Sequence, residues 1–186
     1  MPHRKIPIRK EMLAKRDALK KEEVAEKSYR IAEKILAHPK FVEAGTIAIY
    51  FPIGNEVDTK KVIERALVLG KIVLLPSTNQ MSDKITLHRY SKGEELVLGK
   101  FGIPEPKNKA LRADEPDLVI VPGVCFGLCM HRIGYGKGYY DRFLKLTKAY
   151  KIGVCFDIQV VEKLPTHEHD VPMNEIITEK RTIGWK

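Results

Sequence analysis

At 186 residues the chain is long enough to bury a core without disulfides or a structural metal, and a single domain spanning 1–186 is expected. Its composition, 44% apolar and 31% charged, is that of a globular protein rather than a disordered one. The longest mostly apolar stretch, 44–53, falls far short of the roughly 20 residues of a membrane span, and the formal charge of +9 favours polyanionic ligands without choosing among nucleic acid, a nucleotide and a polyglutamylated cofactor.

The N-terminal MPHRKIPIRKEMLAKR is basic and runs into a charged helical pattern, not an apolar segment with a cleavage site, so a cytoplasmic location is expected. Ile8, Met12, Leu13 and Leu19 fall near one helical face, with the helix expected to begin at Pro7. Val24, Ile31, Ile35 and Leu36 continue a second stretch up to Pro39.

TIAIYF, residues 46–51, is β-branched and aromatic and reads as a strand; a helix capped by Asp58 and stopped at Gly70 follows. KIVLLP at 71–76 is the next strand, parallel to the first through a right-handed crossover. Residues 85–90 can add a strand, whereas the Gly- and Pro-rich segment 91–116 reads as loop with a short turn of helix. DLVIV supplies a buried strand at 117–121, and Tyr140, Phe143, Leu144 and Lys148 take helical spacing ahead of a strand at 151–156. The tail suggests a short helix and one or two terminal strands. Strands alternating with helices, without an internal repeat, predict an α/β fold: a three-layer α/β/α sandwich on a doubly wound, mostly parallel sheet.

Chemistry concentrates in Arg132-Ile-Gly-Tyr-Gly-Lys-Gly-Tyr-Tyr-Asp-Arg142. Gly134, Gly136 and Gly138 free the backbone to present N–H groups to an anion, Lys137 and the arginines add charge, and a helix beginning near Gly138 would aim its positive end there. The spacing is neither Walker A nor GxGxxG directly after a strand. On spacing alone, anion binding and a plain glycine turn with a solvated lysine stand about level.

VPGVCF followed by RIGYGKGYYDR resembles the signature of the 5-formyltetrahydrofolate cyclo-ligase family, close to VPGxAFD then RLGYGxGYYDR. Lys5 and Arg9 four apart, YFPIGNEVDT, KIVLLP, FGIPEP and LPTHEHDVPMN extend the likeness in order over almost the whole chain. The resemblance implies ATP and Mg2+ as reactants and 5-formyltetrahydrofolate, as mono- or polyglutamate, as substrate. It implies that Lys5 and Arg9 touch ATP phosphates and that Arg132, Ile133, Gly134, Tyr135, Gly136, Lys137, Gly138, Tyr139 and Tyr140 form the nucleotide loop. Tyr135 through Tyr139 would also touch substrate, with Lys137, Arg132 and Tyr139 the catalytic residues. Asp141 and Asp170 match metal positions, and Phe51 and Glu56 match positions that hold the pterin. The chain departs from the pattern at Gly127 and Met130, where the family usually has Asp and Gly. Either that Asp is dispensable, or metal binding here leans on Asp141 and Asp170.

Several residues admit plainer readings. His167-Glu-His-Asp170 could hold a transition metal or be a polar loop with Asp170 turned to Mg2+. Glu56 could simply answer a helix dipole, and Lys5 and Arg9 could be a solvated basic face. Cys125, Cys129 and Cys155, odd in number and without metal-ligand spacing, read as reduced packing residues. A nucleic-acid-binding module would explain the basic N-terminus, yet no recognised nucleic-acid motif accompanies it, and no nucleic-acid or membrane partner is expected. A dinucleotide oxidoreductase lacks the acidic residue that should follow a strand-linked GxGxxG.

Overall fold

A computed structural model describes residues 4–79, 84–99, 102–107 and 115–184. Helices α1 (Lys5–Asp17), α2 (Lys21–Leu36) and α3 (Pro39–Glu43) lead into strand β1 (Thr46–Ile49), helix α4 (Lys60–Val68) and strands β2 (Ile72–Asn79) and β3 (Lys84–Tyr90). A short antiparallel pair, β4 (Leu96–Leu98) with β5 (Pro104–Pro106), precedes β6 (Leu118–Pro122), β7 (Cys125–Gly127) and β8 (Arg132–Ile133). Helix α5 (Tyr139–Leu144), β9 (Tyr150–Val154), a 3-10 turn at Asp157–Gln159, β10 (Val160–Val161), β11 (Glu175–Ile177) and β12 (Thr182–Gly184) complete the order.

Among the described residues the main sheet runs β12-β11-β9-β6-β1-β2-β3. Its interior pairs, β11/β9, β9/β6, β6/β1 and β1/β2, are parallel. The outer pairs, β11/β12 and β2/β3, are antiparallel. This is the doubly wound α/β architecture expected, with strands buried on both faces because helices cover both. Alternation assigns the faces. Ile47, Ile49, Leu118, Ile120 and Ile152 pack with Ile31 and Ile35 of α2, Phe41 of α3 and Val62 and Ile63 of α4. Ala48, Leu74, Val119 and Val121 point the other way, onto Phe126, Met130 and Leu144.

Several boundaries differ from the sequence reading. Helix α1 already includes Lys5, ahead of Pro7, because proline is tolerated in a first turn whose N–H groups have no partner within the helix. The boundary residue of α4 is Thr59, whose hydroxyl donates to the Tyr50 carbonyl, while the Asp58 carboxylate still accepts from the Lys60 N–H at 2.9 Å. Where a turn of helix was expected within 91–116, the described residues form the β4/β5 pair; Lys100, Phe101 and 108–114 lie outside the described residues. Helix α5 ends at Leu144, short of Lys148. The 157–161 region holds the 3-10 turn and strand β10 rather than a short α-helix.

The winding reverses between β1 and β6: the chain leaves β1 toward β2 and β3, then returns to the opposite side of β1 to lay down β6. A crevice at the carboxyl ends of such a pair is where open α/β sheets accept ligands.

Candidate active site

Beyond β1 the chain makes a tight turn in which the Glu56 N–H donates to the Ile53 carbonyl at 3.1 Å and the Ile53 N–H donates to Glu56 Oε2 at 3.1 Å. The Asn55 side-chain amide donates to the Leu19 carbonyl just past α1 at 3.1 Å, tying this turn to the N-terminal helix. Glu56 is thereby buried at the strand ends, 7% exposed. Its Oε1 accepts from the Tyr135 hydroxyl at 2.8 Å, and Arg16 Nη1 lies 3.9 Å from the same oxygen. Burial pushes the Glu56 carboxyl above its ordinary value, opposed by the Tyr135 hydroxyl, the Ile53 N–H and the Arg16 charge. Tyr135 in turn is pushed up to about 12, chiefly by burial and then by Glu56.

The glycine loop follows β8, and each of its glycines has a guanidinium where a side chain would begin. A Cβ on Gly134 would stand 2.8 Å from Arg132 Nη1, one on Gly136 3.3 Å from the Arg9 guanidinium, and one on Gly138 3.0 Å from Arg142 Nη1. Gly136 and Gly138 also take φ of 102° and 68°, open to glycine at little cost. Arg9 Nε donates to the Gly134 carbonyl at 2.8 Å, docking α1 on the loop. Three arginines thus converge on the three glycines of the loop. Helix α5 starts at Tyr139 as expected, but with 6 residues its dipole adds little to these guanidinium charges.

Arg132 is 5% exposed, donates to Asp141 Oδ1 at 3.1 Å, lies 5.3 Å from the Tyr140 ring centre, and leaves Nε without a hydrogen bond among the described residues. Burial lowers its pKa, while Asp141, Tyr140 and Asp170 act the other way, so both carboxylates bear on one guanidinium. Asp170 accepts from the Lys5 ammonium and, at 2.8 Å, from the His167 N–H. Burial pushes the Asp170 carboxyl up, but these partners outweigh it and hold it below the ordinary carboxylate range.

The fold therefore gathers Lys5, Arg9, Arg132, Gly134, Gly136, Gly138, Asp141 and Asp170 into one charged region and joins Tyr135 to Glu56. Lys137 is exposed at the loop tip, with no hydrogen bond or ion pair among the described residues. Tyr139 carries the Arg142 guanidinium 5.3 Å from its ring centre. The side chain of Ile133 is buried with Met12, Val124 and Leu164, leaving only its backbone for a ligand, and Phe51 is half-buried against the core beside β1.

Asp141 and Asp170 suit Mg2+, an ion that takes one or two carboxylates and completes its shell with water and phosphate oxygens. At Gly127 the acidic side chain of the family pattern would have to displace its neighbours, since a Cβ would stand 2.9 Å from Cys129 Sγ and 3.0 Å from Leu164 Cγ. Met130, at the family's glycine position, keeps the glycine-like φ of 66° while burying its side chain.

Arg16 was not singled out by the sequence as a site residue, and its burial comes from Glu56, Tyr135 and the end of β6 closing around it. Gln159 is a second such residue: its amide donates to the Val124 carbonyl at 2.8 Å and fixes the strand-end loop. No pattern in the sequence marks either.

The 5-formyltetrahydrofolate cyclo-ligase family matches residues 2–179. A 5-formyltetrahydrofolate cyclo-ligase of Escherichia coli (strain K12) is 33% identical over 178 residues, covering 92% of this chain and 98% of that protein. The NMR structure of Aquifex aeolicus 5,10-methenyltetrahydrofolate synthetase superposes with a TM-score of 0.85 at 37% identity, covering 96% of this chain and 91% of the other. A 5,10-methenyltetrahydrofolate synthetase from Mycoplasma pneumoniae is similar at a TM-score of 0.73 and 26% identity, covering 94% and 98%. With family model, sequence and fold matched along nearly its full length, the chain belongs to the 5-formyltetrahydrofolate cyclo-ligase family of enzymes.

Proposed function

We propose that the chain closes 5-formyltetrahydrofolate to 5,10-methenyltetrahydrofolate at the expense of ATP. The observation that carries this reading is the adjacency of a buried carboxylate, Glu56, to a glycine loop crowded by guanidinium groups, joined through Tyr135. One end suits a heterocycle with N–H donors and the other a polyphosphate.

The N5-formyl group is an amide whose oxygen N10 cannot displace unaided. Transfer of the γ-phosphoryl group to that oxygen releases ADP and turns the oxygen into a leaving group. The N10 lone pair then attacks the formyl carbon and N10 loses its proton. The C–O bond breaks with its electrons leaving on phosphate, and the conjugated methenyl ring remains. This chemistry needs no protein nucleophile, only positioning and charge stabilisation.

In this reading Lys5 and Arg9 hold ATP phosphates, the loop N–H groups from Gly134 to Gly138 cradle them, and Arg132, Lys137 and Tyr139 face the group in transfer. Glu56 accepts from the pterin N–H groups, with Phe51 flanking the ring. Asp141 and Asp170 would hold Mg2+, which when bound neutralises triphosphate charge. Purified protein mixed with Mg-ATP and 5-formyltetrahydrofolate should generate the methenyl chromophore with equimolar phosphate release. Absence of both, in protein that is folded and binds ATP, would overturn the assignment.

A further inference from the structure

Arg16 is 5% exposed, yet among the described residues Nε and Nη1 have no hydrogen-bond partner. The nearest carboxylates are Asp17 Oδ1, 3.5 Å from Nε, and Glu56 Oε1, 3.9 Å from Nη1, both outside hydrogen-bonding contact. Its guanidinium carbon lies 5.8 Å from the centre of the Tyr135 ring. Leaving a buried charged donor without a hydrogen bond is costly, so two on one side chain point to a group that arrives later.

Arg16 lies in a narrow strand-end crease lined also by Tyr50, Glu56, Pro122, Gly123 and Gln159. Most polar groups there are already committed: the Tyr50 hydroxyl donates to the Val57 carbonyl at 2.9 Å, and the Gln159 amide serves the 123–124 carbonyls. What remains is a guanidinium edge beside a carboxylate. Each Glu56 oxygen holds one protein donor and retains a lone pair. The crease therefore reads acceptor, acceptor, donor.

The 2-amino-4-oxo edge of a pterin reads donor, donor, acceptor: the 2-amino group, N3–H and the 4-oxo oxygen. We infer that Arg16 is a further substrate-recognition residue, donating from its unpaired edge to the 4-oxo oxygen while Glu56 accepts from N3–H and the 2-amino group. This rests on the reading of Glu56 as the pterin-holding carboxylate. Exchanging the 4-oxo oxygen for sulfur keeps the 2-amino group and N3–H that Glu56 would meet and weakens only the acceptor facing Arg16, so Arg16 makes the site prefer 4-oxo over 4-thioxo folates.

The test is the affinity of wild type, Arg16→Met, Arg16→Lys and Glu56→Gln for 5-formyltetrahydrofolate and its 4-thioxo analogue, with ATP binding measured in parallel. Wild type should prefer the 4-oxo ligand by about fivefold, part of the value of a hydrogen bond to a charged group being lost to the weaker sulfur acceptor. Arg16→Met should bring that ratio close to one with ATP affinity unchanged, and Arg16→Lys, which keeps the charge beside Glu56 but loses the planar fork, should lower it as well. Should Arg16→Met fail to fold, Arg16→Lys decides alone. A role confined to holding Glu56 in place would weaken both ligands equally, and an unchanged ratio in the folded variants overturns the inference while leaving the proposed function intact. Wild type that binds neither folate overturns the functional reading itself, and Glu56→Gln that binds both normally removes its assignment to the pterin.

Discussion

The Lys5 ammonium rests on the Asp170 carboxylate, across a sequence separation of 165 residues, so the first turn of α1 closes over the same carboxylate proposed to meet the metal. Cation and metal would compete for one oxygen pair. Replacing Asp170 by Asn should therefore raise the Mg2+ concentration needed for half-maximal rate more than the KM for folate. A second consequence concerns acid stability. The folded carboxyl is held below its ordinary value of 3.8, so its contribution is present above that value and lost as pH falls through the folded one. Acid unfolding of Asp170→Asn should lack this component, and the variant should be less stable at neutral pH by about 1 kcal/mol, the pair being partly open to solvent. Identical acid-unfolding curves would show that the pair contributes nothing.

Glu56 carries the opposite sign. Burial raises its pKa above 4.5, so its ionised form is a cost to the folded state at neutral pH that acidification relieves. Glu56→Gln should fold at least as well as wild type at pH 7 while losing folate affinity by about ten- to hundredfold, since an amide accepts on one side only. Wild-type folate affinity should already decline above pH 4.5 on acidification, and that of the variant should stay flat. Calorimetric titration across pH distinguishes the two profiles, and parallel decline would assign the titration elsewhere.

Lys137 stands exposed at the tip of the loop, which makes Lys137→Met a test of chemistry rather than of folding. If its charge meets the group in transfer, kcat should fall by about two orders of magnitude, corresponding to roughly 3 kcal/mol of transition-state stabilisation. The melting temperature should not move. Wild-type kcat in that variant would remove Lys137 from the mechanism.

Met130 sets two local effects against each other. Its φ of 66° costs a non-glycine residue roughly 1–2 kcal/mol, while truncating its buried side chain costs about 2–5 kcal/mol. Met130→Gly and Met130→Ala should both destabilise, but the glycine variant by about 1 kcal/mol less, a reversal of the usual order of the two residues. Denaturant midpoints give the comparison directly. Met130→Ala as stable as Met130→Gly would mean that the turn relaxes its backbone.

What the sequence revealed follows the range of the interaction concerned. Strands such as β6 and the glycine run 134–138 announce themselves within a few residues, through β-branched composition or repeated glycine. The resemblance then supplied Asp170 and Glu56, which local pattern alone leaves as a solvated loop residue and a carboxylate answering a helix dipole. Arg16 escaped because one more arginine on a basic helix is ordinary until Glu56 and Tyr135, 79 residues apart from each other, close around it. The β4/β5 pair escaped for another reason: Pro104 and Pro106 lower any strand reading, and only an edge position makes them tolerable.

The placement of β1 beside both β2 and β6 bears on how the chain acquires its structure. Its Ile47–Ala48–Ile49 backbone finds one neighbour soon, in β2, but the other must wait for Leu118–Ile120. The Asp117 carboxylate that receives the Gly45 and Thr46 N–H groups at 2.9 and 2.8 Å arrives at the same late stage. On a ribosome, the completed β1–α4–β2 unit would present one apolar, unpaired strand edge until nearly two-thirds of the polypeptide had emerged. Closure of that gap, rather than formation of any helix, would limit the speed of refolding.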